Sequence, residues 1–347
     1  MSGHAFAAKT KVAFALLWTI DDQGWTTSHY RGIEHLKKEF GPDVEVAYVE
    51  KIVAPSDAER TFRTYAERGY ELVFGTTFSH MDPMLTVAKE FPNVAFEHCS
   101  GYKTAANMGT YFVRIEQAEF LAGYMAGLMG FKNVGTVATQ PIPEVVRGIN
   151  AFTLGLRKGL DEKKIPYDPA KLNTIVWLKE WRDPINETLL AETLAARKHD
   201  LIRQMADTPD SAKAACAAGV PAIGYGEDAA RYGASCTLVS TVFNWGPIYA
   251  KLVKQVRDKT WKPEEYWRGF DEDAIALSEF HASVPAEVRE KVLAQRELMR
   301  QGQDDSFAGP ILDQTGQVRI PAGQKATDKE LLGMRWLVQG VHGSVPD

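Results

Sequence analysis

At 347 residues the chain exceeds one typical core and suits two α/β domains of about 100–200 residues each. Apolar residues make up 45% and charged residues 24%, which excludes the composition of a disordered chain. A formal net charge of −5, from intermixed acids and bases, excludes a basic face for nucleic acid or an anionic membrane.

No run nears the ~20 apolar residues that span a bilayer. Ala5-Phe6-Ala7 ahead of Ala8 has the small-x-small form of a signal-peptidase site, so residues 1–8 read as the remnant of a removed export signal plus added residues. Cys99, Cys216 and Cys236 are far apart and odd in number, giving neither a metal-type pair nor a disulfide framework. Buried thiols are the expectation, since free cysteine behaves as a small hydrophobe. An extracytoplasmic protein could still pair Cys216 with Cys236.

From Lys11 short apolar runs alternate with amphipathic stretches, the pattern of parallel sheets with helices on both faces. Strands are expected at Val12–Leu17, Val44–Val49, Leu72–Gly75, Val94–Glu97 and Met108–Val113. Helices are expected at 26–40, at 56–68 with Ser56 as cap, and at 81–90. Phe120-Leu-Ala-Gly-Tyr-Met-Ala-Gly-Leu128 reads as a tightly packed helix whose glycines allow close approach. After Asn133 the alternation restarts, with strands at 134–138, 174–178, 200–204, 222–225 and 237–242 and helices at about 144–160, 185–197 and 210–218. A helix over Trp245–Lys259, an extended stretch at 270–280 and a helix at 285–301 follow. A hairpin within Phe307–Pro321 and a last helix over Thr327–Gln339 complete the chain.

The fold expected is therefore α/β, two doubly wound Rossmann-like lobes. Lobe 1 takes 9–130 plus about 244–282, lobe 2 takes 131–243 plus about 283–306, and 307–347 is a C-terminal extension packed on the lobes. No linker separates them, so the chain is expected to cross on its strands.

No GxSxG, HExxH, P-loop or complete GxGxxG is present, and Gly224-Tyr-Gly226 lacks the third glycine. Glu97, His98 and Cys99 are consecutive strand residues that alternate in direction, so no metal site is expected there. No catalytic residue and no cofactor are expected either.

Ligands of doubly wound sheets bind beyond the carboxyl ends of the strands. Ile20-Asp21-Asp22-Gln23-Gly24-Trp25-Thr26 occupies such a position, and its tryptophan can stack on an aromatic ring while neighbouring polar groups read hydrogen-bonding edges. Phe78 follows the third strand, and Trp181, Asp228 and Asn244 follow strands of the second lobe. Together with Asp21 and Asp22 they describe a cleft that sandwiches an aromatic solute. Core or surface packing is the competing account for each residue.

At these residues the chain resembles the basic membrane protein (BMP) family of ABC-transporter solute receptors, whose members bind purine nucleosides or bases. The family's Asp-Asp-x-Ser-Phe-Asn is similar to Asp21-Asp22-Gln23-Gly24-Trp25-Thr26, with Trp25 at the stacking position and Ser and Asn lost. Phe120–Leu128 resembles the family's FLAGYLAGL helix, and Asn133-Val-Gly-Thr-Val resembles the strand after it. Ile142-Pro143, Gly148-x-x-Ala151-Phe152-x-x-Gly155 and Trp181-x-Asp183-Pro184 match further segments. The likeness covers most of 11–282.

It implies a periplasmic-binding-protein type I fold, an exported periplasmic receptor rather than an enzyme, a small-molecule ligand that is a purine base or nucleoside, and an ABC permease as partner. It is expected to work as a monomer, without nucleic acid. Leu16 stands where the family carries an Asp, Gly226 replaces an acid of the nucleoside binders, and Asn244 replaces a Lys. Groups that would hold a ribose are thus missing, so adenine is the first choice, with the Asn244 amide suited to its N6/N7 edge. A purine nucleoside is the alternative. A purine-processing enzyme such as a nucleoside hydrolase or phosphorylase would need a metal-binding Asp cluster or a phosphate site, for which Asp21-Asp22 is a faint candidate. A sensory domain would need an output module, and none is visible before Lys11.

Overall fold

Buried apolar runs separated by amphipathic stretches of helical length fold, in the computed structural model, as two parallel sheets layered with helices. The structure describes residues 9–346, and the Ala5-Phe6-Ala7 motif lies outside them. The first strands and helices are β1 (Thr10–Ala15), α1 (Trp25–Phe40), β2 (Val44–Val49), α2 (Pro55–Glu67), β3 (Leu72–Gly75), α3 (Met81–Glu90), β4 (Ala95–Cys99) and β5 (Met108–Val113). Then come α4 (Ile115–Leu128), β6 (Val134–Ala138), α5 (Pro143–Glu162), β7 (Asn173–Trp177), α6 (Pro184–Ala196), β8 (Leu201–Gln204), α7 (Asp210–Ala217), β9 (Ala222–Gly226) and β10 (Thr237–Phe243). After these run α8 (Trp245–Arg257), β11 (Glu265–Arg268), β12 (Ile275–Leu277) and α9 (Ala286–Arg300). The chain ends with β13 (Ile311–Leu312), β14 (Val318–Ile320), α10 (Asp328–Leu332) and β15 (Val341–His342).

Two units result. Among the described residues, the first holds 9–22, Thr26–Val113 and Asn244–Arg268; the second holds Gln23–Trp25, Arg114–Phe243 and 269–346.

In the first unit the six strands pair in parallel, in the order β11-β5-β4-β3-β1-β2. One face buries Ala13, Val73 and Phe96 against Phe62 of α2 and Met84 of α3. On the other face Phe14 and Phe74, register partners on adjacent strands, stack at 4.6 Å and meet Tyr249 of α8. A Cβ on Gly32 of α1 would lie 2.7 Å from the Tyr249 ring, so this glycine admits α8 closely.

The second sheet runs β12-β10-β9-β8-β6-β7-β15, parallel except where β12 pairs antiparallel with β10. Helices α6 and α7 close one face over Val137, Ile202 and Ala222. Helix α4 is buried along its whole length and meets α5 through interlocked glycines. Beneath them Glu119 accepts from Arg203 Nε and Nη2 at 2.9 and 2.6 Å and from Thr241 at 2.8 Å. Arg147 pairs with Glu116 at 3.1 Å. Removing one partner of such a pair strands a buried charge, at a cost of about 3–5 kcal/mol.

Four expectations are corrected. Ser56 does not cap α2: Ala54 stands at the cap position and Pro55 opens the first turn, where its missing N–H costs nothing. The expected bounds of β4, Val94–Glu97, shift to Ala95–Cys99, so Glu97, His98 and Cys99 all lie within the strand. The helix over 327–339 stops at Leu332, because Asn150 donates to the Trp336 carbonyl at 2.7 Å and accepts from Val338 N–H at 2.9 Å, holding that stretch extended. Cys216 and Cys236 are joined in a disulfide with Cα atoms 5.3 Å apart, whereas Cys99 is a buried thiol.

Candidate functional site

The loop after β1 is shaped by the first turn of α1. Asp22 is buried, and its two carboxylate oxygens accept from Thr26 and Thr27 N–H at 2.9 Å each, which caps the helix. Thr26 Oγ1 accepts from Trp18 N–H at 3.1 Å, and Thr27 donates to the Ile20 carbonyl at 3.0 Å. Asp21 is exposed on the loop. This folding puts half-buried Trp25 at the first helical position.

Trp25 meets Phe243, at the end of β10, edge to face at 5.3 Å, and Phe243 meets Tyr225 of β9 in the same way at 5.5 Å. Gly24 lies against Asp207, where a Cβ would come 1.8 Å from the carbonyl oxygen. Gln23 Oε1 accepts from Lys213 at 3.0 Å. The Tyr225 hydroxyl donates to Glu144 at 2.6 Å, and burial holds the Glu144 carboxyl above its ordinary range against that bond. The second unit thus carries a run of three rings ending on a carboxyl group, with Phe243 and Tyr225 at strand ends and Trp25 and Glu144 in the first turns of helices. Phe243, Tyr225 and Glu144 are not among the expected site residues, although Tyr225 between two glycines at a strand end is a signal in the sequence.

Asn244 is half-buried at the cap position of α8, and its side chain does not cap the helix. Within the first unit α8 is fixed by Trp245, which donates to Ser28 at 2.9 Å and stacks on His29 at 4.6 Å. His29 Nδ1 bonds the Tyr249 hydroxyl. Burial, and then the nearby His80, hold the His29 imidazole well below its usual range.

The remaining expected residues fall differently. Phe78 is 55% exposed in a short turn after β3, tilted against Tyr102 at 6.3 Å. Trp181 is 37% exposed after β7, and its carbonyl accepts from Asp207 N–H at 2.9 Å. Asp228 caps the turn after β9 through Ala230 N–H at 3.3 Å and pairs with Arg231 at 3.2 Å. Asp22 and Asp228 thus accept bonds from local backbone, while Trp25 lies in an aromatic run.

The chain matches the ABC transporter substrate-binding protein PnrA-like (Bmp) family over residues 9–302. It belongs to that family. A purine-binding protein of Brucella abortus is 34% identical over 348 residues, covering all of this chain and 97% of the relative. A Haloferax volcanii protein, provisionally named an ABC transporter glucose-binding protein, is 33% identical and is covered over 83% of its length. Among solved structures, an ABC transporter solute-binding protein of Conexibacter woesei aligns at TM-score 0.70 with 24% identity, covering 85% of this chain and 97% of that one. One from Aeropyrum pernix aligns at 0.68 with 14% identity, covering 84% and 92%. These two show the fold, that of type I periplasmic binding proteins.

As a Bmp-family receptor the chain is not an enzyme; it takes a small-molecule ligand outside the cytoplasm and has a membrane permease as partner. Among the described residues no helix is long and apolar enough to cross a membrane. The positions at which it departs from the Bmp pattern have clear surroundings. Leu16 is fully buried, its N–H donating to the Val49 carbonyl and its carbonyl accepting from Ile52 N–H, both at 2.9 Å. Gly226 has φ of +80°, a left-handed conformation in which an acidic side chain is strained.

Proposed function

We propose that the protein is the periplasmic receptor of an ABC importer for a purine base, adenine first, held at the carboxyl ends of the strands. Trp25 supplies the stacking face, and the Asn244 amide donates and accepts at the N6/N7 edge. Trp181 and Phe78 are the further aromatic contacts. Asp21 and Asp22 share the loop of Trp25 and Asp228 lies in the turn after β9, with Asp22 and Asp228 acting through the backbone they cap.

The observation that carries this reading is the placement of Trp25, a half-buried indole at the first turn of the helix after β1, edge-on to Phe243. Leu16 offers no polar side chain to a ribose, and Gly226 offers none either, which favours a free base over a nucleoside. The purine-binding name of the Brucella relative supports the same class.

A calorimetric and thermal-shift panel of adenine, guanine, hypoxanthine, adenosine, guanosine, thiamine and glucose tests it, because a ligand of the native state raises its stability by mass action. Adenine is expected to bind at about micromolar Kd or tighter, near −8 kcal/mol or beyond, with nucleosides at least tenfold weaker. Tighter nucleoside binding would reverse the argument from Leu16 and Gly226, and binding of glucose alone would remove the purine reading.

A further inference from the structure

Within the second unit, the tip of the Trp25 loop rests on a short segment at the start of α7. Gly24 abuts the Asp207 carbonyl, Gln23 Oε1 accepts from Lys213 at 3.0 Å, and Asp207 N–H donates to the Trp181 carbonyl at 2.9 Å. Residues 207–213, the end of the loop after β8 and the first turn of α7, therefore touch both segments that carry the proposed ligand-binding indoles.

A buried polar cluster holds this segment. Glu187, in the first turn of α6, is fully buried, and its Oε1 accepts from Asp183 N–H at 3.0 Å. Thr208 Oγ1 lies 2.7 Å from Glu187 Oε2 and 2.7 Å from Asp210 Oδ2. A hydroxyl has one proton to give, so it serves one carboxylate, and the other contact needs a carboxyl that donates. Glu187 is that carboxyl. Burial pushes it up to about 7; the Thr208 and Asp183 bonds oppose this, the charge of Asp210 adds to it, and that of Arg182 opposes it. Asp210 then accepts from Thr208 through one oxygen and faces Lys213 at 3.4 Å through the other.

We propose that Glu187, Thr208 and Asp210 share one proton, and that this proton is a switch that holds residues 207–213 as the seat of the Trp25 loop. The inference rests on the assignment of Trp25 and Trp181 to the ligand site; Glu187 acts through Thr208 and is a positioning residue. With the proton present, donation runs in one direction, from Glu187 through Thr208 to Asp210. When it leaves, two carboxylates compete for one hydroxyl hydrogen, a buried oxygen loses its partner, and the Asp210–Lys213 side of the seat loosens. Ligand is therefore held tightly below pH 7 and loosely as the pH rises through 7.

Glu187→Gln tests this, because an amide keeps the acceptor towards Asp183 and donates permanently to Thr208. Full-length wild type and variant are compared at pH 6 and pH 8.5. In hydrogen exchange without ligand, peptides covering 20–26 and 205–213 should exchange alike in both proteins at pH 6. At pH 8.5 they should exchange about tenfold faster in the wild type, within the roughly 30-fold ceiling set by a group that titrates at about 7. Calorimetry with adenine should show the wild-type Kd weakening by about the same factor between the two pH values, and that of the variant by less than about twofold. Thr208→Val, which removes the shared hydroxyl, should exchange fast in both peptides already at pH 6. Equal exchange of wild type and Glu187→Gln at pH 8.5, wild-type protection of Thr208→Val at pH 6, or a wild-type adenine Kd that does not weaken at pH 8.5 overturns the proposal. If adenine gives no heat in either protein the purine reading falls, and the exchange rates alone decide the switch.

Discussion

Glu97 of β4 is fully buried and accepts from Trp261 Nε1 at 2.8 Å. Burial, with the charge of Glu264 adding to it, pushes its carboxyl up to about 8 despite the Trp261 bond. A carboxyl raised on folding favours the native state fully below its unfolded value near 4.5, and that contribution is lost as the pH rises through 8. Glu97→Gln should therefore leave stability at pH 5 nearly unchanged and raise it above pH 8 by on the order of 2–3 kcal/mol, read from melting curves at both pH values. The next residue has the opposite sign. Burial lowers His98 to about 4, and its Nε2 donates to the Thr77 carbonyl at 2.8 Å, so its contribution is present above about 6.5 and lost as the pH falls towards 4. His98→Gln, which keeps a donor, should flatten the acid limb of the same curve; an unchanged limb would assign it to other groups. Alternation along a strand, legible in the sequence, sends these neighbours to different partners. The partners of both groups come from the segment before β11, which carries Trp261 and Glu264, and from Thr77 after β3, segments that the sequence pattern did not join to β4.

Among the elements, α4 and α5 explain the most specific part of the family likeness. A Cβ on Gly123 would lie 2.0 Å from the Phe152 carbonyl oxygen, and one on Gly155 2.0 Å from that of Phe120. The neighbours are backbone, so no rotamer change relieves the overlap. Gly155→Ala should cost on the order of 2–4 kcal/mol and lower the melting temperature by several degrees. A shift under 1 °C would show that the helices can separate freely. Close approach at these glycines was legible in Phe120–Leu128, as were the long strands and helices with a clean period. Two kinds of element were not. β11 and β15 are short edge strands whose four and two residues hold too little pattern to stand out. The stretch after Leu332 buries Met334, Leu337 and Val338 at helix-like spacing, but Asn150 from α5 overrides it, a tertiary capture that no local pattern carries. At the site the sequence pointed to Trp25 through its position between strand and helix, but left open whether the acids bind ligand or cap helices. Asp22 and Asp228 each accept backbone bonds at the start of the following turn.

The whole molecule carries one covalent staple among its described residues, between the end of α7 and the start of β10, closing about 20 residues around β9. A loop of that length stabilises by about 3 kcal/mol, chiefly by restricting the unfolded chain. Reduction with dithiothreitol, or Cys216→Ala with Cys236→Ala, should lower the melting temperature by several degrees without altering ligand affinity; equal melting with and without reductant would contradict this. Such a bond suits an oxidising compartment and agrees with the extracytoplasmic setting of the family. The sequence left the pairing open because three scattered cysteines do not reveal which Cα atoms the fold brings together.

The receptor reading depends on one ring above all, so calorimetric titration of adenine into the wild-type protein and into Trp25→Leu tests it most directly. Stacking of a base contributes about 1–3 kcal/mol, so the variant should bind on the order of 10- to 100-fold more weakly at an unchanged melting temperature. Equal affinity in the two proteins, or no heat from adenine in either, would contradict the account.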